Sequence, residues 1–167
     1  MSDYQQEEAL SMNSSIEPSS HVTLDESTRG YLSFMLDNEE YAIDVGSIRE
    51  IRTWEAATFL PMSERYVRGV INMRGAIVPI LDLRSRFSLD EVEPTEKTII
   101  ILMKVIEEDR SRIIGIIVDE IKDLYHLKQS HIEQQCEFSK KSNAECVKGM
   151  ARFDAKSLII LNQDMLL

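Results

Sequence analysis

The chain has 167 residues, 43% of them hydrophobic and 29% charged, and a formal net charge of -10. This composition is typical of a globular protein with one domain or two small lobes, and its acidity disfavours binding to the phosphate backbone of nucleic acid. With no apolar run of roughly 18 residues and no secretory signal at the N-terminus, we expect a cytoplasmic protein that does not insert into the membrane.

Residues 1–28 are predicted to form a disordered acidic tail. They contain six acidic residues and no Lys or Arg. The segment is rich in Ser, Glu and Gln and lacks a hydrophobic period, so it offers little apolar surface to offset the entropy of ordering. We expect residues 29–166 to form the folded part, as two lobes that share a core.

The first folded segment shows apolar residues in alternation, which predicts two strands around a turn at residues 37–40. Ile48 and Ile51 then have a three-residue spacing, and this predicts a short helical turn after Gly46. Further on, Ser63 is predicted to cap a short helix that Gly69 closes.

The next segment, Val67 to Arg84, predicts a β-hairpin with a tight turn at Arg74-Gly75. Between Arg68 and Asp82 the only charged residue is Arg74, so the hairpin presents a single guanidinium at its tip. Arg is well suited to interface contacts, which favours a recognition role, although a solvated turn residue is the alternative. Pro79 cannot donate to a ladder and therefore predicts an edge strand or a bulge.

Two further hairpins are predicted, at residues 98–118 and 147–162. The second half of the chain also resembles the first, because Val45–Ile51 aligns with Val118–Leu124 and Val67–Gly69 aligns with Val147–Gly149. We interpret this as a duplicated unit of about five short strands, each closing into a small barrel. One such unit would be marginally stable alone, so the two should share a core. Coincidence between apolar hairpins is the alternative.

No motif in the sequence indicates catalysis or metal binding. The glycines form neither of the phosphate-binding patterns G-x-G-x-x-G and G-x-x-x-x-G-K. The nucleophile motifs G-x-S-x-G and S-x-x-K are also absent. His131, Cys136 and Cys146 match no compact zinc spacing and lack a fourth ligand. A hydrolase that uses the adjacent carboxylates of Asp119 and Glu120 is the alternative. We expect no enzyme activity, no metal and no cofactor.

Several blocks closely resemble the CheW family of bacterial chemotaxis coupling proteins. The most specific block runs from Val70 to Arg84, and the others are Glu39–Val45 with Glu50–Arg52, Gly115–Asp119, and Val147–Gly149. Together they extend over roughly residues 30–166. The resemblance implies a mainly β fold of two intertwined five-stranded SH3-like β-barrels with short helices.

The resemblance also implies a non-enzymatic adaptor that couples methyl-accepting chemoreceptors to the histidine kinase CheA. Its partners would be the chemoreceptor cytoplasmic tips and the kinase regulatory domain, in arrays associated with the membrane. By position, Arg74 is similar to the family's receptor-contacting Arg, and Ile48 and Glu50 are similar to its apolar and acidic coupling positions. Together with Val45 as part of a groove floor, these are the predicted receptor- and kinase-binding residues.

Two alternative functions remain open at this stage. One is a small-molecule sensor that uses the groove between the barrels, and the other is an adaptor of a non-flagellar chemosensory pathway. In either case we expect a monomer in isolation.

Overall fold

The computed structural model describes residues 27–134, 143–153 and 155–167. The predicted tail lies outside these ranges except for its last two residues, and Thr28 already begins the first strand. Cys136 also lies outside the described residues. Among the described residues, no helix is long and apolar enough to cross a membrane.

Strands make up most of the described structure. In chain order they are β1 (Thr28–Leu36), β2 (Glu39–Asp44), β3 (Ile48–Thr53), β4 (Val67–Met73), β5 (Ala76–Asp82), β6 (Ile99–Glu107), β7 (Arg110–Val118), β8 (Glu120–Lys128), β9 (Ile132–Glu133), β10 (Val147–Phe153) and β11 (Lys156–Leu161). The helical elements are short: α1 (Leu83–Arg86) and 3-10 turns at Val45–Ser47, Gln129–His131, Ala144–Cys146 and Gln163–Met165. The predicted mainly β class is confirmed.

The strands form two sheets, and the two halves of the chain exchange their first hairpins, β1–β2 and β6–β7, between these sheets. The first sheet has the order β8-β1-β2-β11-β10-β9, and the second has the order β3-β6-β7-β5-β4. Strand β3 leaves the first hairpin and pairs with β6, while β8 leaves the β6–β7 hairpin and pairs with β1. Each sheet therefore contains strands from both halves of the chain, which intertwines the two lobes.

The internal repeat is visible in the register of the two hairpins. In β4–β5 the pairs are Val67 with Leu81 and Gly69 with Ile80, and a bulge falls between them. In β10–β11 the pairs are Val147 with Leu161 and Gly149 with Ile160, and the same bulge falls between them. Each of these four residues lies 80 positions after its counterpart in β4–β5. The alignment of Val67–Gly69 with Val147–Gly149 thus corresponds to a repeated backbone feature.

A shared core joins the sheets, and each lobe has a small core of its own. The shared cluster combines side chains of the first sheet, such as Phe34 and Ile43, with side chains of the second, such as Ile101 and Ile116. The β6–β7 hairpin is buried on both faces, as its continuous apolar run predicts: four successive residues of β6, from Ile100 to Met103, are fully buried.

Three local predictions were wrong. Ile48 and Ile51 lie in β3 rather than in a helical turn, and the short 3-10 turn precedes them. Ser63 caps no helix, because its hydroxyl donates to the Leu60 carbonyl in a turn. Pro79 lies in an interior strand between β7 and β4, and the β4 bulge falls elsewhere.

The ladder geometry explains why Pro79 is tolerated there. Its partner Val70 exchanges both backbone hydrogen bonds with Thr58, at 2.8 and 2.9 Å, on the far side of β4. The parallel pairing of β5 with β7 begins only at Ile80. Neither neighbouring strand therefore needs an N–H donor from residue 79.

An ion pair between Arg84 and Asp119 ties the second sheet to the first. Arg84, in α1, donates to both carboxylate oxygens of Asp119 at 2.9 and 2.7 Å and to the Asp90 carbonyl at 2.8 Å. Asp119 stands between β7 and β8 and also accepts from the backbone N–H of Asp37, in the β1–β2 turn. The side chains of Arg84 and Asp119 are 11% and 26% exposed, so solvent screens the pair only weakly.

We expect Arg84→Ala to lower the free energy of unfolding by about 3 kcal/mol, because it leaves the Asp119 carboxylate mostly buried without its cation. Arg112→Ala is the matched control: Arg112 pairs with Glu107 at the surface, and its loss should cost less than about 1 kcal/mol. Urea unfolding of both variants measures the difference. Equal losses would contradict a special role for Arg84.

Candidate functional site

Arg74 stands exposed at the tip of the β4–β5 hairpin. Arg74 and Gly75 both have positive φ, at 49° and 85°, as a type I′ turn requires. The side-chain oxygen of Asn72 accepts from the Gly75 N–H at 2.9 Å and fixes the turn. A non-glycine residue at positive φ costs roughly 1 kcal/mol or more, so Arg at position 74 makes the fold less stable than Gly would at the same position.

Val45 and Ile48 lie where the chain crosses from the first sheet to the second. Asp44 caps the 3-10 turn Val45–Ser47 by accepting from the Gly46 N–H at 2.7 Å. Val45 is 38% exposed, whereas Ile48 is half-buried and packs against the shared core. Of the predicted groove floor, Val45 is therefore the more accessible part, and Ile48 mainly anchors the start of β3.

Glu50 is half-buried in β3, and a bulge separates it from Ile48: Ile48 pairs with Met103, whereas Glu50 pairs with Leu102. Its carboxylate accepts from Arg52 Nε at 2.7 Å, and Arg52 also bonds Glu55 at 3.0 Å. The hydrogen bond from Arg52 is the main cause that lowers the pKa of Glu50, and the charge of Arg74 adds a smaller contribution in the same direction. Glu50 is thus held as a carboxylate within the electrostatic reach of Arg74.

The structure brings the predicted residues together in two places. Glu50 and Arg74 interact electrostatically in the second sheet, and Val45 stands at the crossing that leads into β3. An exposed apolar neighbour, Leu124, was missed by sequence reasoning. A Cβ atom built on Gly30 would lie 3.5 Å from Val45 and 3.9 Å from Leu124, so both side chains border the same shallow site.

A signal for Leu124 was present in the internal repeat. The alignment of the two halves matches Leu124 with Ile51, and both are exposed, at 54% and 45%. Residues that serve only to pack the core are normally buried, so two large apolar side chains that are exposed at equivalent positions indicate a surface that makes contacts. Reading the repeat for surface positions as well as for strands would have identified Leu124.

Of the three residues considered as metal ligands, the structure describes His131 and Cys146. His131 accepts a hydrogen bond from the Lys128 N–H, and Cys146 is buried, with its thiol 3.2 Å from the Met165 carbonyl oxygen. Burial raises the pKa of the Cys146 thiol, which keeps it in the form that binds metals poorly. Within the described ranges, no group of three or more His, Cys, Asp or Glu side chains is placed to hold a metal ion. The site offers charge, hydrogen bonds and apolar contact.

Comparison with known proteins identifies the class. The family model of the CheW-like domain matches residues 30–167. A protein of Rhizobium etli named as a probable chemotaxis protein CheW is 30% identical over 144 residues, which cover 86% of this chain and 90% of that protein. The chemotaxis protein CheW of Klebsiella aerogenes is 34% identical over 137 residues, covering 82% and 80% of the two chains.

A solved structure agrees with this assignment. The crystal structure of a scaffolding protein, TtCheW of Thermoanaerobacter tengcongensis, aligns with a TM-score of 0.73 and 25% identity, covering 83% of this chain and 91% of that one. The chain therefore belongs to the CheW family. The two-sheet architecture, the hairpin with Arg74 and the exchanged strands described above are its form of that fold.

We expect Arg52→Gln to raise the pKa of Glu50 towards its ordinary value, because the substitution removes the strongest interaction that favours the carboxylate. Arg74→Gln should raise it less. A lowered pKa stabilises the fold above the unfolded pKa, and that contribution disappears as the pH falls through the lowered folded value. An NMR titration of the Glu50 carboxyl carbon measures both shifts. An unchanged pKa in Arg52→Gln would contradict the assignment.

Proposed function

We propose that this protein is a chemotaxis coupling adaptor that joins the cytoplasmic tips of chemoreceptors to the regulatory domain of the histidine kinase CheA. It works by holding two partners, without converting a substrate. In this proposal the protein lies in the cytoplasm, is monomeric in isolation and is recruited to receptor arrays at the membrane.

The observation that carries this proposal is the exposed Arg74 on a fixed hairpin tip, within electrostatic reach of the carboxylate of Glu50. A positive and a negative side chain that do not neutralise each other suit a partner surface that carries both acidic and basic groups. Arg is also among the residues that contribute most to the binding energy of interfaces. The receptor tip is expected to supply a helical hairpin, and an amphipathic helix is the element that docks in an apolar groove. Val45 and Leu124 provide the exposed apolar surface beside it.

We expect Arg74→Glu to weaken binding to a receptor tip fragment at least about tenfold, because the substitution reverses the charge of the proposed contact residue. The free energy of unfolding should change by less than about 0.5 kcal/mol, since the side chain is exposed. Arg and Glu also have a similar cost at a positive φ, because neither is glycine. Calorimetric titration and thermal unfolding of the same samples measure the two quantities.

Lys156→Glu is the matched control, since Lys156 is exposed at the start of β11 in the equivalent hairpin of the other sheet. It applies the same charge reversal and should leave receptor binding unchanged. Equal weakening by the two variants would indicate a general charge effect. A large loss of stability in Arg74→Glu would make Arg74 a structural residue.

A further inference from the structure

The second sheet borders a cavity that the proposed function does not use. It has a volume of about 450 Å³ and lies between the end of β3, the β4–β5 hairpin, the connector at residues 91–98 and the start of the crossing at Asp119. Its size is within the range of small-molecule sites. None of Val45, Ile48, Glu50 and Arg74 lines it, so it is distinct from the candidate adaptor site.

The deep end of this cavity is apolar. Ile80 is fully buried, and Ile117 and Ala57 pack on the separate small core of the second sheet. Trp54 also lines the cavity, is 41% exposed and is the only tryptophan in the chain. An apolar base with an accessible aromatic ring is the usual lining of a site for an organic molecule.

The two cations that line the cavity are already bound to carboxylates. Arg84 is held by Asp119, and Arg68 donates to Asp82 from Nε at 2.9 Å and from Nη2 at 2.7 Å. Asp82 uses its other oxygen to cap α1. Arg84 therefore has little capacity left to bind an anion, and Arg68, although 42% exposed, already faces the carboxylates of Asp82 and Glu91.

The remaining charge of the lining is negative. Five carboxylates face two guanidinium groups, and Glu55 bonds Arg52 outside the cavity. Glu91 is only a distant partner of Arg68, at 3.7 Å. In the part of the chain that the structure describes, no cation pairs with Glu93, which is exposed at the mouth. A ligand with a positive charge would compensate this excess.

We propose that the cavity binds a small organic cation with an apolar body. Its charged group lies against Glu93 and Glu91, and its apolar part lies towards Ile80 and Ile117. The Trp54 ring adds a face that attracts cations as well as apolar groups. Alkyl or aryl ammonium compounds have this chemistry, whereas inorganic cations would leave the apolar base unfilled.

Three probes of similar shape and different charge test the proposal: 3-phenylpropylammonium, 3-phenylpropanamide and 3-phenylpropionate. Each is titrated into the full-length protein, and the fluorescence of Trp54 is recorded. We expect a saturable change with the ammonium compound at a Kd of about 1 mM or tighter, weaker binding of the amide and no binding of the carboxylate. Equal responses to the three, or no saturation with the ammonium compound, would overturn the proposal.

A pair of charge-neutralising variants then locates the site. Glu93→Gln should weaken binding of 3-phenylpropylammonium about fivefold or more. Glu96→Gln is the matched control, because Glu96 belongs to the same connector but does not line the cavity. Both residues are exposed, so both variants should fold. Equal Kd values for wild type and Glu93→Gln, or equal losses in both variants, would show that the cation only associates with an acidic surface.

Discussion

The arrangement of the two sheets depends on the mostly buried ion pair between Arg84 and Asp119. Asp119 stands at the residue where the chain leaves β7 and enters the other sheet, and its backbone N–H donates to the Met35 carbonyl at 3.1 Å. Its side chain meets α1 and the β1–β2 turn at the same time. A buried pair adds little net stability compared with apolar packing, but it tolerates only an arrangement in which every charge is paired. We therefore interpret it as the contact that fixes how three segments meet.

The fixed crossing between sheets in turn positions the candidate adaptor site. β3 and β8 leave their own hairpins and pair with strands of the other half, so Val45 and Leu124 come together although 79 positions separate them in sequence. Arg52 bonds both Glu50 in the adaptor site and Glu55 at the wall of the cavity. The two surfaces of the second sheet thus share one guanidinium, which orients a carboxylate in each.

Much of the fold was predictable because hairpins leave local signals. The turn at Arg74-Gly75 and the continuous apolar run of β6 follow from neighbouring residues, whereas Gly69, predicted to close a helix, lies instead at a bulge in β4. The prediction of a helical turn at Ile48 was wrong because a bulge in a strand also produces a three-residue apolar spacing. The register of β3 shifts between Ile48 and Glu50, so Ile48 pairs with Met103 and Ile51 pairs with Ile101, although Ile51 remains exposed at this edge of the sheet. The position of Pro79 depended on the bonds between Thr58 and Val70, which no local pattern reveals.

The sequence by itself determined the strand content, the duplication, the family and the exposed Arg at the hairpin tip. The strand content and the Arg at the turn arise from hydrophobic period and turn chemistry within a few residues, where sequence neighbours are also neighbours in space. The duplication and the family follow from the resemblance of whole blocks of sequence. Only the tertiary structure decided the strand exchange, the pairing of Arg84 with Asp119, the position of Leu124 beside Val45 and the cavity at Trp54. Each of these joins segments that are far apart in the chain, and their contacts depend on how the two sheets pack.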